Sequence, residues 1–399
     1  MRFGDFLFLN KRWLGAGAVM SFSSSFGQTF FISIFAGALM AEFGLSDGEW
    51  GGIYSLGTTA SAIVMVYGGT LTDRFRARYL AAAVLVLLAG ACLFMARVPG
   101  VWALPFAVFL LRFTGQGMLN HIAVVAMARW FVAARGRALA IATLGFSFGE
   151  AFLPMIFVGL LTVMAWRELW VVAAIASLAI IPVVMALLRS ERTPQSITAG
   201  DNQTGLENRH WTRRETLRHW LFWTLIPMVT APSIFGTALF FQQVHLTETK
   251  GWDHTGFVTL FPIFTGTTIA SMFVFGWAID RFGCRRLLAW FQVPMALAYL
   301  TLSLGTTLSA AAVGFFLMGL MQGGGATLFG AMWAEFYGTR HLGAIKSLAT
   351  ALMVFGSAIG PGVTGLLIDL GFPFHVQMLG YAAYIMAGCM LTWVAMRRV

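Results

Sequence analysis

The sequence predicts an all-α membrane protein of twelve transmembrane helices, arranged as two parallel-repeat six-helix halves. Three observations predict this class: an apolar composition, an internal repeat, and charge that alternates between successive loops. The 399 residues are 58% hydrophobic and 11% charged, against about 25% charged in soluble domains. A soluble globular protein is thereby excluded, and the mean hydropathy of +0.78 agrees. The repeat is a trio, Gly69, Asp73 and Arg74, that returns 207 residues later as Gly276, Asp280 and Arg281. Phe131 and Arg135 match Phe336 and Arg340 at an offset of 205, and Gly149 and Pro154 match Gly356 and Pro361 at 207. A short slip in the intervening loop reconciles the offsets.

At about 20 apolar residues per crossing, the apolar stretches place spans over roughly 13–40, 48–70, 79–96, 101–128, 138–163 and 168–189 in the first half. In the second half they fall over roughly 219–245, 255–279, 287–305, 309–334, 343–368 and 375–396. Residues 1–189 are one six-helix half, 219–399 the other, and 190–218, the only long polar stretch, the linker. Thr193 to Glu207 has no apolar periodicity and is rich in turn formers. Its basic end, Trp211 to His219, has two readings. One is an amphipathic helix on the inner leaflet, where each basic residue gains about 1 kcal/mol near anionic lipid; the other is a solvated loop helix.

The net charge of +10 would suit a nucleic-acid partner, but the placement of the charges gives another cause. Of 26 Lys and Arg, 22 lie before the first span, in alternate loops, or at the end of the chain. Only Arg97, Arg167 and Lys250 lie in the opposite loops. By the positive-inside rule both termini are cytoplasmic and the protein is a multi-pass one of the cytoplasmic, or inner, membrane. No nucleic-acid partner is expected. The first apolar run is too long for a cleaved signal and reads as an uncleaved one. Cys92, Cys284 and Cys389 have no paired spacing and the seven histidines no ligand spacing, so no disulfide, metal, cofactor or enzymatic activity is expected.

The segment Gly69-Thr70-Leu71-Thr72-Asp73-Arg74-Phe75-Arg76-Ala77-Arg78 resembles the cytoplasmic loop motif of the major facilitator superfamily, and Gly276 to Arg286 resembles a second copy. Glycine permits close helix contact, the carboxylate can meet a neighbouring helix N-terminus, and the arginines can latch the cytoplasmic side. The resemblance implies a gating role for Gly69, Asp73, Arg74, Gly276, Asp280 and Arg281, or a purely structural one. The first copy departs from the motif at Arg76, where the superfamily usually has glycine. A narrower likeness follows the fourth span: Arg129-Trp130-Phe131, Arg135-Gly136-Arg137, Gly145 and Gly149 resemble the monocarboxylate and oxalate/formate branches. Vertebrate-type monocarboxylate carriers place a lysine in the first span and an acid/arginine pair in the eighth, and this chain has no charge within either, so lactate-like specificity is not implied.

Two charges fall deep in the membrane, Arg112 in the fourth span and Glu150 in the fifth. A lone charge at mid-bilayer costs at least about 2.5 kcal/mol, so such residues face a cavity and find partners. In an antiparallel hairpin the two are staggered by about 6 Å at 1.5 Å per residue, within reach of an arginine side chain. On an α-helix Arg112, Gln116 and Asn120 share one face. Arg112 as an anion-binding fork, Glu150 as the proton carrier, and a static salt bridge are all open. Ser21, Ser25 and Gln28 share a face of the first span. Gln242, Gln243 and His245 crowd the outer end of the seventh, and Gln322 lies in the tenth. Substrate contact and helix-to-helix hydrogen bonding are both open for these. Glu335 and Lys346 flank the loop after the tenth span and are expected to form a cytoplasmic latch.

The expected function is secondary active transport by alternating access, driven by protons and importing a small organic anion such as a carboxylate. Its partners are then a small-molecule substrate, protons and the lipid bilayer, and it is expected to act as a monomer. The alternative is proton-driven export of an amphipathic compound, suggested by the aromatic C-terminal half. The exporter branch carries a Gly-Pro pair in the fifth span; here Gly360-Pro361-Gly362 lies in the eleventh.

Overall fold

Hydrocarbon offers no hydrogen-bond partners, so an apolar crossing closes its backbone bonds within itself. The computed structural model, which describes residues 3–69, 71–131, 135–190, 204–338 and 342–399, is accordingly helical, with no strand among the described residues. Two compact units divide it, Met1–Thr198 and Ala199–Val399. Among the described residues ten helices are long and apolar enough to cross a membrane, or eleven if the bent pair Asp5–Gly27 and Thr29–Phe43 is one crossing. The second expected span falls on the helix Asp47–Gly68, which is not one of these. Its 22 residues reach about 33 Å at 1.5 Å per residue, enough for a hydrocarbon core of about 30 Å. Its glycines and hydroxyl residues make it less apolar than the others. Ser46 starts it with a capping box, accepting from Glu49 N at 3.1 Å while Ser46 N donates to Glu49 Oε2 at 2.9 Å.

The first span breaks where its sequence turns to serine and glycine. Ser23 Oγ donates to Val19 O at 2.8 Å and Ser24 Oγ to Ser21 O at 2.6 Å. Such side-chain bonds compete with the helical ladder. The chain tightens to a 3₁₀ turn over Ser24–Gly27, becomes extended at Gln28 (φ −89°, ψ 157°) and restarts at Thr29 with a bend of 47°. Gln28 is therefore off any α-helical face shared with Ser21 and Ser25. The seventh span breaks at the repeat-related place, as a π-helix over Pro232–Gly236. Proline has no N–H, so Met228 O loses its donor four residues on. Gln292 of the ninth span, fully buried, supplies the replacement: its Nε2 donates to Met228 O at 2.6 Å.

Two of the three basic residues in the opposite loops cap helices. Arg167 Nη1 donates to Ala96 O at 2.9 Å and Val98 O at 3.4 Å, at the end of the third span, and pairs with Glu42 at 2.5 Å. Lys250 Nζ donates to Ser303 O and, at 3.0 Å, to Gly305 O, at the end of the ninth. Ser303 and Gly305 are Ala96 and Val98 displaced by 207 residues. One backbone need is thus met in both halves by cations from different helices.

Candidate functional site

The fourth span is α-helical over Leu104–Leu111, π-helical over Arg112–Leu119 and α-helical again over Asn120–Trp130. The α-spacing that would align Arg112, Gln116 and Asn120 therefore does not run through this stretch; π-turns of this kind are frequent at functional sites. The π segment crosses the break of the first span at glycine on both sides: a Cβ on Gly115 would lie 2.7 Å from Gly27 Cα. Only glycines permit that approach.

Arg112, 1% exposed, turns into the break. Phe31 N bonds to Gln28 O at 3.2 Å, one residue short of the helical pattern, and leaves Gly27 O without that partner. Arg112 Nη1 donates to this carbonyl at 3.4 Å and to Thr29 Oγ1 at 3.2 Å. Thr29 Oγ1 lies 2.6 Å from Tyr54 Oη, and the guanidinium carbon is 5.4 Å from the Tyr54 ring centroid. One nitrogen is thus anchored. Arg112 Nε and Nη2, which point from one edge of the planar group, are buried and have no partner among the described residues. That edge matches the two oxygens of a carboxylate.

The static salt bridge to Glu150, one of the three open readings, is not formed: among the described residues no ion pair joins it to Arg112. The physical reason is the freed carbonyl of Gly27, which draws the guanidinium toward the first span. Glu150 is half-buried in the fifth span, one residue after Gly149, where a Cβ would lie 2.8 Å from Ser25 Cβ of the same break. Pro154, four residues on, removes the N–H that would bond to Glu150 O. Ser25 Oγ, and Thr58 Oγ1 one turn beyond Tyr54, are buried and unpartnered among the described residues. A buried guanidinium with an unpartnered edge and, among the described residues, no ion pair is an arrangement that can take up an anion.

The other expected residues are more dispersed. Gln28 is buried at the break, and Gln116 and Asn120 are half-buried. Gln242, buried, donates through Nε2 to Thr364 Oγ1 of the eleventh span at 3.4 Å. Gln322 is exposed, while Gly319 and Gly323 beside it pack on the eighth span, with hypothetical Cβ atoms 2.8 Å from Thr267 Cβ and 2.7 Å from Ser271 Cβ. In the repeated motif, a Cβ on Gly69 would meet His121 Nε2 at 3.3 Å, whereas Gly276 faces open space. Arg281 is exposed, 5.6 Å from the Trp277 ring centroid. The side chains of Asp73, Arg74, Asp280, Arg135 and Lys346 lie outside the described residues. Arg76 is extended at φ −65°, but its repeat mate Gly283 has φ 74°, so the two copies end in different turns. Glu335 accepts from Cys284 N at 3.1 Å, tying the tenth span to that second turn. Among the described residues no three metal-ligating side chains converge.

Thr29, Tyr54 and Gln292 escaped the sequence reading. For Gln292 a signal existed, since Pro232 frees a carbonyl in an apolar span and a lone glutamine in another span can answer it.

The sequence profile of the Major Facilitator Superfamily matches residues 17–277 and, in a second register, 233–398. The chain belongs to this superfamily. As a member it is a multi-pass membrane transport protein. No curated protein matches the sequence. Among solved structures, it is similar to a bacterial homologue of the human lysosomal transporter Spinster, in an inward-facing and unoccupied conformation. That likeness has a TM-score of 0.70 and 16% identity over 97% of each chain. It is also similar to the nucleoside transporter NupG, with a TM-score of 0.72 and 14% identity over 97% of this chain and 99% of that one. At such identities the likeness establishes the superfamily fold alone.

Proposed function

We propose that the chain is a secondary active transporter that imports a small organic anion, carboxylate-like, with protons by alternating access. The observation that carries the anion reading is Arg112: buried, anchored by one nitrogen at the break of the first span, with its Nε and Nη2 edge unpaired among the described residues. Glu150 is the proposed proton carrier, because it is an intramembrane carboxylate with no ion pair among the described residues. Gln28, Gln116, Asn120, Gln242 and Gln322 are proposed substrate contacts, and the two loop motifs proposed gates. The 22 basic residues before the first span, in the alternate loops and at the end of the chain support cytoplasmic termini in the cytoplasmic membrane, two six-helix halves and a cytoplasmic linker.

Uptake of acetate, lactate, oxalate and benzoate into proteoliposomes, with and without an imposed pH gradient, tests the proposal. Gradient-dependent uptake of at least one is expected. Glu150→Gln should abolish uptake driven by the gradient yet keep equilibrium exchange, where no net proton movement is needed. Wild-type gradient-driven transport by the Arg112→Gln/Glu150→Gln double variant would reject both roles at once.

A further inference from the structure

We propose that the basic turn before the seventh span, Arg213–Arg218, is a binding surface for the headgroups of anionic phospholipids. The turn is held rigidly from one side. Thr212 and Glu215 close a capping box, with Thr212 N donating to Glu215 Oε2 at 2.7 Å. Trp211, buried, donates from its backbone N to Tyr337 O at 3.0 Å, and His219 Nδ1 lies 3.3 Å from Tyr337 Oη, at the end of the tenth span. Thr216, fully buried, marks the docked face. At 3.6 residues per turn, Arg214 and Arg218 lie about 160° round the helix from Thr216. Both are exposed, as is Arg213.

Like charges four residues apart on one helix face repel, and among the described residues no carboxylate relieves these. Glu215 is engaged by the cap and by Arg209, which also pairs with Glu207 at 3.0 Å and stacks on Trp211 at 3.8 Å. Among the described residues Arg213, Arg214 and Arg218 make no ion pair. An anion from outside the protein is therefore the missing partner. Depth identifies its source. The span Trp220–Phe241 begins two residues after Arg218. Trp220 and Trp223, 45% and 52% exposed, share its outer face, and exposed indoles belong at the headgroup level. Trp223 Nε1 donates to Leu217 O at 2.8 Å, fastening the basic turn to this aromatic step. The arginines thus stand where a phosphodiester lies, with indoles at the acyl boundary.

Native mass spectrometry of the full chain in mixed phosphatidylglycerol and phosphatidylcholine tests the assignment. The wild type should retain phosphatidylglycerol preferentially, and Arg214→Gln/Arg218→Gln should reduce that preference roughly thirtyfold, at about fivefold per cation near the surface. Arg214→Lys/Arg218→Lys should keep most of it. Should the glutamine variant not fold, salt provides the same reading on the wild type, since about 1 M shortens the screening length to about 3 Å and should erase the preference. Equal retention of the two lipids, a preference unchanged by the glutamine pair, or one indifferent to salt would overturn the proposal. So would displacement of the lipid by inorganic phosphate at unchanged ionic strength, which would make the site one for the free ion.

Discussion

Arg112 sits at the point where a backbone defect and an unpaired charge meet. Its Nη1 serves the Gly27 carbonyl and the Thr29 hydroxyl, and Tyr54 steadies Thr29 from the second span. If the free Nε and Nη2 edge binds the anion, Arg112→Lys keeps the charge and loses the planar fork, and affinity should fall roughly tenfold or more. Thr29→Val removes one anchor of the fork without changing side-chain volume much, so a smaller rise in KM with kcat little changed is expected. Thr29→Ser should behave as the wild type. Binding of acetate, followed by thermal shift or isothermal calorimetry across these variants, checks the order. Arg112→Lys binding as tightly as the wild type would remove the fork from the account. Arg112 was legible in the sequence as a deep charge, but its partner was not. The hairpin geometry pointed it at Glu150 because the freed carbonyl across the break has no signature of its own in the sequence.

At the scale of elements, the two halves break their first helices at repeat-related places by different chemistry. In the first half serines and Gly27 loosen the ladder; in the second Pro232 removes a donor. Each defect is answered by a buried side chain from another span, Arg112 in one half and Gln292 in the other. Gln292→Leu should therefore cost about 1–3 kcal/mol, the penalty of a buried carbonyl left unpaired. Pro232→Ala restores an N–H four residues after Met228, so the same Gln292→Leu change made in that background should cost much less. Thermal unfolding of the four proteins in detergent forms the cycle, and additive losses would show that Gln292 does not compensate the proline. The π-turn at Arg112–Leu119 illustrates a limit of reading at this scale, since its apolar residues fit the α pattern equally well.

At the scale of the whole molecule, the alternation of charge carries an orientation that cysteine labelling can check. Asn208→Cys and Thr249→Cys lie at exposed positions, while the native Cys92, Cys284 and Cys389 are buried. An impermeant thiol reagent added to intact cells should reach Thr249→Cys alone, and equal labelling would contradict cytoplasmic termini. The repeated loops make a second prediction. If Asp73 and Asp280 act in gating, Asp73→Asn and Asp280→Asn should slow transport far more than they weaken equilibrium binding of the same substrate. Matched losses would reject gating.

The sequence by itself determined the helical membrane class, the repeat, the family and the two deep charges. Hydrocarbon tolerates only backbone that satisfies itself, and that demand is written in composition and period. It also placed twelve apolar segments, of which the second is the least apolar. Tertiary structure alone decided which groups meet. The turn into which Arg112 reaches, the separation of Arg112 from Glu150, the answer of Gln292 to Pro232 and the docking of Trp211 on Tyr337 all depend on backbone groups exposed by local breaks. A carbonyl is present at every residue, so only its neighbours in space reveal which one lacks a partner.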